Sequence, residues 1–397
     1  MKGWIELIFS LKTIFQLLMT AAIVFLITPI VRKVALKIGA VDKPNKRRVN
    51  TVPMPSMGGV GIYLAFVFSG YVFFRHAIPL VLFTHIVIAA GIVVVTGIID
   101  DIYELSPRQK LIGISLAAIY LFFIAGIKMD HIKVFGLNEF ILPGWLSFIV
   151  TIIWILAITN SINLIDGLDG LASGVSIISL ITIGIVALFH FQGPLSFISV
   201  MIFMLVAAIA GFLPYNFFPA QIYLGDTGAL FLGFMISTFS LMGLKNATII
   251  TFLTPIVILG VPIADTFFAI IRRKVNRKPI SSADKMHLHH RLISMGFTHR
   301  GAVLTIYGLS IIFSMIALIY NYLSTVGVVV LSIALLFCVE LFIEMIGLIG
   351  PQFTPLLTTL KFIGNRAYRI HVINHWKALR NKRRQKKERI RRRIKKQ

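Results

Sequence analysis

Cysteine is almost absent. The 397 residues hold one, Cys338, so no disulfide framework is available and no cysteine-based metal or redox set exists. Acid is scarce as well: 15 Asp and Glu stand against 39 Lys and Arg, a formal net charge of +24. Charged residues of both signs make up 14% of the chain, against 57% hydrophobic. A soluble domain carries about 25% charge, so the composition excludes a water-soluble globular protein of this length. Long polar stretches are also missing before Pro351, which leaves no room for a soluble domain, and no internal repeat is visible.

What is present is a series of apolar runs. A hydrocarbon core about 30 Å thick needs roughly 20 helical residues, and these runs have that length. About eleven spans are expected, at 11–31, 57–76, 79–99, 111–127, 142–158, 171–189, 195–213, 229–244, 248–271, 302–320 and 326–348. The run at 229–244 is the shortest. The first run is too long for a signal-peptide core and leads directly into Arg32 and Lys33, so it is read as an uncleaved span. The fold class is therefore an all-α polytopic membrane protein. Residues 1–350 form a transmembrane domain and 351–397 a basic tail.

The loops orient the bundle. Of the 39 Lys and Arg, 33 fall in one set of alternate loops and tail, and 6 in the other. The positive-inside rule makes the rich side cytoplasmic, with the N-terminus outside and the tail inside. Asp42, Asp100, Asp101, Glu104, Asp166, Asp169, Asp226 and Asp284 fall on that same rich side, whereas only Glu6, Asp130 and Glu139 fall outside. Solvation of loops alone does not gather carboxylates where cations already are. The asymmetry points to one cytoplasmic-facing site built from several loops.

Four motifs carry its chemistry. "GIIDDIYELSPRQK" ends the third run with adjacent Asp100 and Asp101, followed by Glu104, Arg108 and Lys110. One carboxylate can face a reacting group while its neighbour bonds backbone or a cation; a charged helix cap is the plainer reading. "NSINLIDGLDG" places Asn160 and Asn163 three apart, and likewise Asp166 and Asp169, so that each pair shares a face if helical. Amide and carboxylate oxygens are hard ligands suited to Mg²⁺, and Gly167 and Gly170 allow a ligand close to the backbone. Helix capping accounts for one such residue but not four. "YLGDTG" offers Asp226 as a further ligand or a cap, with Tyr223 as an aromatic face for a base or an interfacial anchor. "DKMHLHHRL" sets His287, His289 and His290 beside Lys285 and Arg291; with no cysteine and with cationic neighbours, phosphate oxygens suit these groups better than zinc. Lys46, Arg47 and Arg48 ahead of the second run could also meet phosphate or simply be solvated. Carboxylates, amides and cations ringing a membrane face are the parts of Mg²⁺-assisted phosphoryl transfer.

The ordered set "DD", "NxxNxxDGxDG", "GDxG" and "HxHH" resembles the polyprenyl-phosphate N-acetylhexosamine-1-phosphate transferases over about 340 residues. The "HLHH" spacing looks like the members that use UDP-GlcNAc, rather than those with three consecutive histidines that use UDP-MurNAc-pentapeptide. It most resembles the Gram-positive members that begin wall teichoic acid linkage synthesis. The resemblance implies transfer of GlcNAc-1-phosphate from UDP-GlcNAc to undecaprenyl phosphate, with release of UMP, at the plasma membrane of a bacterium. It implies Mg²⁺, with Mn²⁺ as an alternative, on Asn163 and Asp226. Asp100 and Asp101 match the essential carboxylate pair and Lys110 a cation serving the phosphates. Gly167, Leu168, Asp169 and Tyr223 fall where uridine binds, with Asn160 and Asp166 beside them. His287, His289, His290 and Arg291 match the loop engaging diphosphate or sugar. One departure is Asn50, where such members commonly carry His.

Other classes fit less well. A transporter places ionisable groups near the bilayer midplane, often within repeats. Only Glu340 and Glu344 in the last run, and Asp265 in the ninth, have that position here, and each is expected to pair with a cation, Asp265 with Arg272 or Arg273. A non-catalytic scaffold needs no four acidic motifs. The tail holds 16 Lys and Arg against one acid, Glu388, and is expected on anionic membrane lipid rather than on nucleic acid. Homodimerisation is left open by the sequence.

Overall fold

The computed structural model describes residues 10–42, 53–133, 139–190, 197–243, 249–279, 286–320, 322–348, 354–365, 368–370 and 372. Lys46, Arg47, Arg48, Asn50, Asp284, Lys285 and the tail beyond 372 lie outside the described residues. The chain divides into two compact units, Met1–Val329 and Val330–Gln397.

The first unit is a helical bundle. Its helices are α1 (Leu11–Ile38), α2 (Gly58–Val72), α3 (Leu80–Tyr103), α4 (Pro107–Tyr120, prolonged by a π-helical turn Leu121–Ala125), α5 (Gly144–Ile165), α6 (Leu171–His190), α7 (Phe197–Asn216), α8 (Gly225–Gly243), α9 (Ile249–Ile258), α10 (Gly260–Val275), the short α11 (Leu288–Ser294) and α12 (His299–Tyr320). Helix α13 (Thr325–Ile346) runs into the second unit, which also holds α14 (Pro355–Gly364). Among the described residues there are also two small antiparallel strand pairs: β1 (Val41–Asp42) with β2 (Met54–Pro55), and β3 (His131–Lys133) with β4 (Glu139–Ile141).

Among the described residues nine helices are long and apolar enough to cross a membrane. The expected span at 57–76 is a 15-residue helix, α2. The expected span at 248–271 is two helices, α9 and α10, which meet at Leu259. The protein is an integral membrane protein of helical type.

Helix α8 holds the centre. It packs against α2, α3, α5, α6 and α7, and 94% of its core stretch is buried, against 22% for α1. Its surroundings are protein rather than lipid, so it can carry Thr227, Ser237, Thr238 and Ser240, which explains why its apolar run reads weakly. Helices in lipid gain little from apolar contact alone, so small residues and interhelical hydrogen bonds hold them together. A Cβ at Gly59 would lie 2.2 Å from Gly228 Cα, and one at Gly97 2.3 Å from Thr227 Cα; α2 and α3 approach the start of α8 that closely because nothing projects between them. Across the bundle, the Thr20 hydroxyl donates to Ser69 (2.9 Å), Ser173 to Asn216 (2.8 Å) and the Trp154 indole to Ser240 (2.9 Å).

Candidate active site

The polar motifs meet where the ends of α3, α5 and α7 face the starts of α2, α4, α6, α8 and α12. Backbone bonds fix the approach. Tyr223 N–H donates to Pro55 O (2.9 Å), and Gly58 and Gly59 N–H donate to Tyr223 O (3.0 Å) and Leu224 O (3.1 Å). This lacing holds the segment entering α8 against the segment entering α2. Gly225 follows at φ +75, a left-handed turn that glycine alone takes readily.

Asp226 then opens α8. Its Oδ1 accepts from the Asn163 side-chain amide at the end of α5 (2.5 Å), and its Oδ2 lies 3.3 Å from the Lys110 ammonium at the start of α4. Lys110 also pairs with Asp100. Asp100 is buried, and its Oδ1 accepts from Leu105 N–H (2.7 Å), closing the turn after α3. Lys110 thus bridges two carboxylates from separate helices.

The adjacent Asp101 has a different environment. Its carboxylate accepts from Asp226 N–H (2.9 Å), Thr227 N–H (3.1 Å), the Thr227 hydroxyl (2.6 Å) and the Ser56 hydroxyl (2.9 Å). It caps α8 from outside the helix, satisfying donors that every helix start leaves over and meeting the positive end of the helix dipole. Its oxygens are committed to that task.

The turn after α5 carries the rest of "NSINLIDGLDG". Asp166 closes α5, and burial together with the neighbouring Asp226, Asp101 and Asp169 carboxylates holds its carboxyl well above the usual range. Leu168 is buried. Asp169 is structural in its contacts: Oδ2 accepts from Ala220 N–H (2.9 Å), and its own N–H donates to His299 Nε2 (3.0 Å). The Asn160 amide donates to Leu156 O (2.7 Å) within α5. The helical spacing that put both asparagines on one face is real, but only Asn163, one turn nearer the helix end, reaches Asp226.

The histidine segment joins this turn. A Cβ at Gly167 would fall 2.3 Å from His289 Nε2, so glycine there lets the ring lie on the backbone. His289 is buried, and desolvation beside His290 pushes its pKa down to about 3, so it works as a neutral imidazole. Its ring is parallel to that of His287 (6.1 Å, 6°) and lies 4.2 Å from that of His290. Arg291 follows on the same short helix.

Two residues differ from expectation or were missed. Asp265 does not pair with Arg272 or Arg273. They lie seven and eight residues along α10, about 10 Å at 1.5 Å per residue. Asp265 instead bonds His287 Nδ1 (2.9 Å) and Leu288 N–H (2.9 Å), anchoring the histidine segment. His299 was not singled out. Besides holding Asp169 it stacks on Phe218 (4.4 Å), whose carbonyl accepts from Arg300 (3.0 Å). The "THR" in sequence offers no periodic or motif signal for that role.

Taken together, hard oxygen ligands, a bridging ammonium and a neutral imidazole line one cluster. Among the described residues no three His, Cys, Asp or Glu converge as a preformed metal cage. Mg²⁺ seldom uses one; it takes one or two protein oxygens plus substrate phosphates. Asp226 and Asn163 touch each other and fit that requirement, and Asp166, raised first by burial and then by the neighbouring Asp226, Asp101 and Asp169 carboxylates, adds a repulsion that a divalent cation would relieve.

Comparison with known proteins gives the family. Glycosyl transferase family 4 matches residues 83–244. The Bacillus subtilis (strain 168) protein named "Probable undecaprenyl-phosphate N-acetylglucosaminyl 1-phosphate transferase" is 41% identical over 337 residues, 84% of this chain and 91% of that one. The decaprenyl-phosphate N-acetylglucosaminephosphotransferase of Mycolicibacterium smegmatis is 33% identical over 73% of this chain and 77% of its own. The undecaprenyl-phosphate alpha-N-acetylglucosaminyl 1-phosphate transferase of Yersinia pestis is 29% identical over 78% and 84%. Likeness along most of both chains makes this chain a member of glycosyl transferase family 4, among the polyprenyl-phosphate N-acetylhexosamine-1-phosphate transferases.

Proposed function

We propose that the protein transfers GlcNAc-1-phosphate from UDP-GlcNAc to undecaprenyl phosphate, giving undecaprenyl-diphosphate-GlcNAc and UMP, at the cytoplasmic face of a bacterial plasma membrane. The observation that carries this reading is Asp226, held at the start of the central helix between the Asn163 amide and the Lys110 ammonium, beside buried Asp100. The relatives' names supply the sugar and the lipid acceptor. The eleven-span topology rests on the lengths of the apolar runs, and the cytoplasmic placement on the distribution of Lys and Arg among the loops. The first membrane step of wall teichoic acid synthesis is the role favoured by the "HLHH" spacing.

Asp226 and Asn163 would hold Mg²⁺, or Mn²⁺ in its place, and the ion would neutralise the donor diphosphate. Lys110, 3.3 Å from Asp226 Oδ2, would serve the same charge. A phosphate monoester has its second pKa near 6, so the acceptor is largely dianionic at neutral pH and needs little activation. Direct in-line attack on the sugar-linked phosphorus therefore suffices, with Asp100 orienting the acceptor or taking its last proton. Asp101 positions Asp226 through the α8 cap. The Asp166–Asp169 turn and Tyr223 would meet uridine. His289, neutral, contributes a hydrogen bond rather than a charge, and His287, His290 and Arg291 complete the surface for diphosphate and sugar. A diphosphate bond is broken and another formed, so the reaction runs near balance and reverses with UMP.

Donor competition tests this. Purified protein with undecaprenyl phosphate and Mg²⁺ should release UMP from UDP-GlcNAc and leave UDP-MurNAc-pentapeptide untouched. Turnover of the pentapeptide donor alone would overturn the assignment.

A further inference from the structure

The second compact unit contains a device that the transfer reaction does not use. Glu340 and Glu344, near its end, are the only charged residues of the otherwise largely apolar helix α13. Glu344 is buried, and its carboxylate accepts from Leu356 N–H and Leu357 N–H, both at 2.6 Å. Those are the first donors of α14, which the Thr354 side chain does not cap. The expected pairing of Glu344 with a cation is thus replaced by a charge on the positive end of a helix. The carboxylate ties the start of α14 to the end of a membrane-spanning helix.

Helix α14 is amphipathic. Leu356, Leu360 and Ile363 recur at the i, i+4, i+7 spacing of one face, with Leu357 at its edge, while Thr358 and Lys361 lie opposite. None of its residues is buried in the protein; Leu360 is 40% and Ile363 67% exposed. A helix fastened at the mouth of a span begins at the level of the lipid headgroups. From Lys361 to the end the sequence then carries 16 Lys and Arg with one acid.

We infer that Glu344 folds α14 onto the bilayer surface, where its Leu and Ile face enters the interface and the following basic residues bind anionic phospholipid headgroups. A lone apolar face has many partners, but this one is continuous with a span that lipid already surrounds. Its charge is the complement of an anionic leaflet. The acid at 344 costs least where it is now, bonded to two N–H groups, which accounts for its presence in an otherwise apolar helix.

The test uses the full-length protein in nanodiscs. Cys338, exposed, is replaced by Ser, and Ile363→Cys carries an environment-sensitive fluorophore. In discs containing phosphatidylglycerol the probe should report an apolar setting, quenched by lipid-borne spin label. High salt, or exchange of the tail's Lys and Arg for Gln, should reduce quenching about tenfold, since screening removes the headgroup attraction. Glu344→Ala should expose the probe to water while UMP release stays within about twofold, because the clamp lies outside the reaction. Should that variant fold poorly, Leu356→Pro at the helix start and Leu360→Asn on the apolar face provide the same readout with Glu344 intact. Equal, salt-insensitive quenching in phosphatidylcholine discs would overturn the headgroup claim. A water-exposed probe in both lipids would overturn the whole inference, as would burial only on adding RNA. A tenfold loss of turnover in Glu344→Ala would place the clamp in the catalytic machinery instead.

Discussion

Exchanging Asp101 for Asn separates two roles that adjacent carboxylates share in name. The Asp101 carboxylate accepts four hydrogen bonds, three from Asp226 and Thr227 and one from Ser56. Asn keeps the shape and one accepting oxygen but turns an NH₂ group toward donors. At least one α8 N–H is left without a partner, at about 1–3 kcal/mol. Loss of the negative charge at the helix start removes about 0.3–1 kcal/mol more. The sum, roughly 1–4 kcal/mol, should lower the melting temperature in detergent by roughly 3–16 °C at the 2–4 °C per kcal/mol usual for large domains. It should also let Asp226 drift, so the Mg²⁺ concentration for half-maximal activity rises and excess Mg²⁺ restores part of the rate. Asp100→Asn should behave oppositely, with the rate lost, Mg²⁺ dependence unchanged and no rescue. The assays are differential scanning fluorimetry and UMP release across a Mg²⁺ titration. If Asp101→Asn melts like the parent and loses its rate with no change in Mg²⁺ dependence, Asp101 acts on substrate and the capping argument is wrong.

Other outcomes follow from the same geometry. Gly97→Ala should push α3 from Thr227, where the added Cβ would sit 2.3 Å from Cα, and lower both stability and Mg²⁺ affinity; full activity would show that the helices separate freely. Burial lowers the His289 pKa from 6.5 to about 3. The unfolded chain takes up that proton first as pH falls, so the contribution of His289 to stability is complete above 6.5 and is lost between 6.5 and about 3. His289→Gln should flatten that acid limb of a melting-temperature profile, and an unchanged limb would deny the buried neutral imidazole. Asp265→Ala should release His287 and Leu288 and raise KM for UDP-GlcNAc more than it lowers kcat; a kcat effect alone would contradict an anchoring role.

Much of the site was legible because its motifs are local. The carboxylate pair, the asparagine–aspartate turn, Gly-Asp-x-Gly and the histidine run each announce polar chemistry at the end of an apolar helix. Which member of a motif does what was not legible. Asp100 and Asp101 are neighbours in sequence, yet one meets Lys110 and the other the start of α8, because successive residues on a helix point about 100° apart. Asn160 and Asn163 look equivalent until depth along α5 is known. Asp265 and Glu344 read as buried acids needing cations, but backbone N–H groups at helix starts and a histidine take that place. The spans were legible by length wherever lipid surrounds them. They were least so at α8, which faces protein, and at α2 and the α9–α10 pair, where a short or broken helix reads as one apolar run.

The most direct measurement is UMP release from UDP-GlcNAc with undecaprenyl phosphate, followed across a Mg²⁺ titration for the parent, Asp226→Asn and Asn163→Ala. If the two side chains hold the ion, the parent should turn over only with the divalent cation, Asp226→Asn should fall by about a hundredfold or more, and Asn163→Ala should need markedly more Mg²⁺ for a lower rate. Near-parental turnover in both variants with an unchanged Mg²⁺ requirement would contradict the assignment of the site.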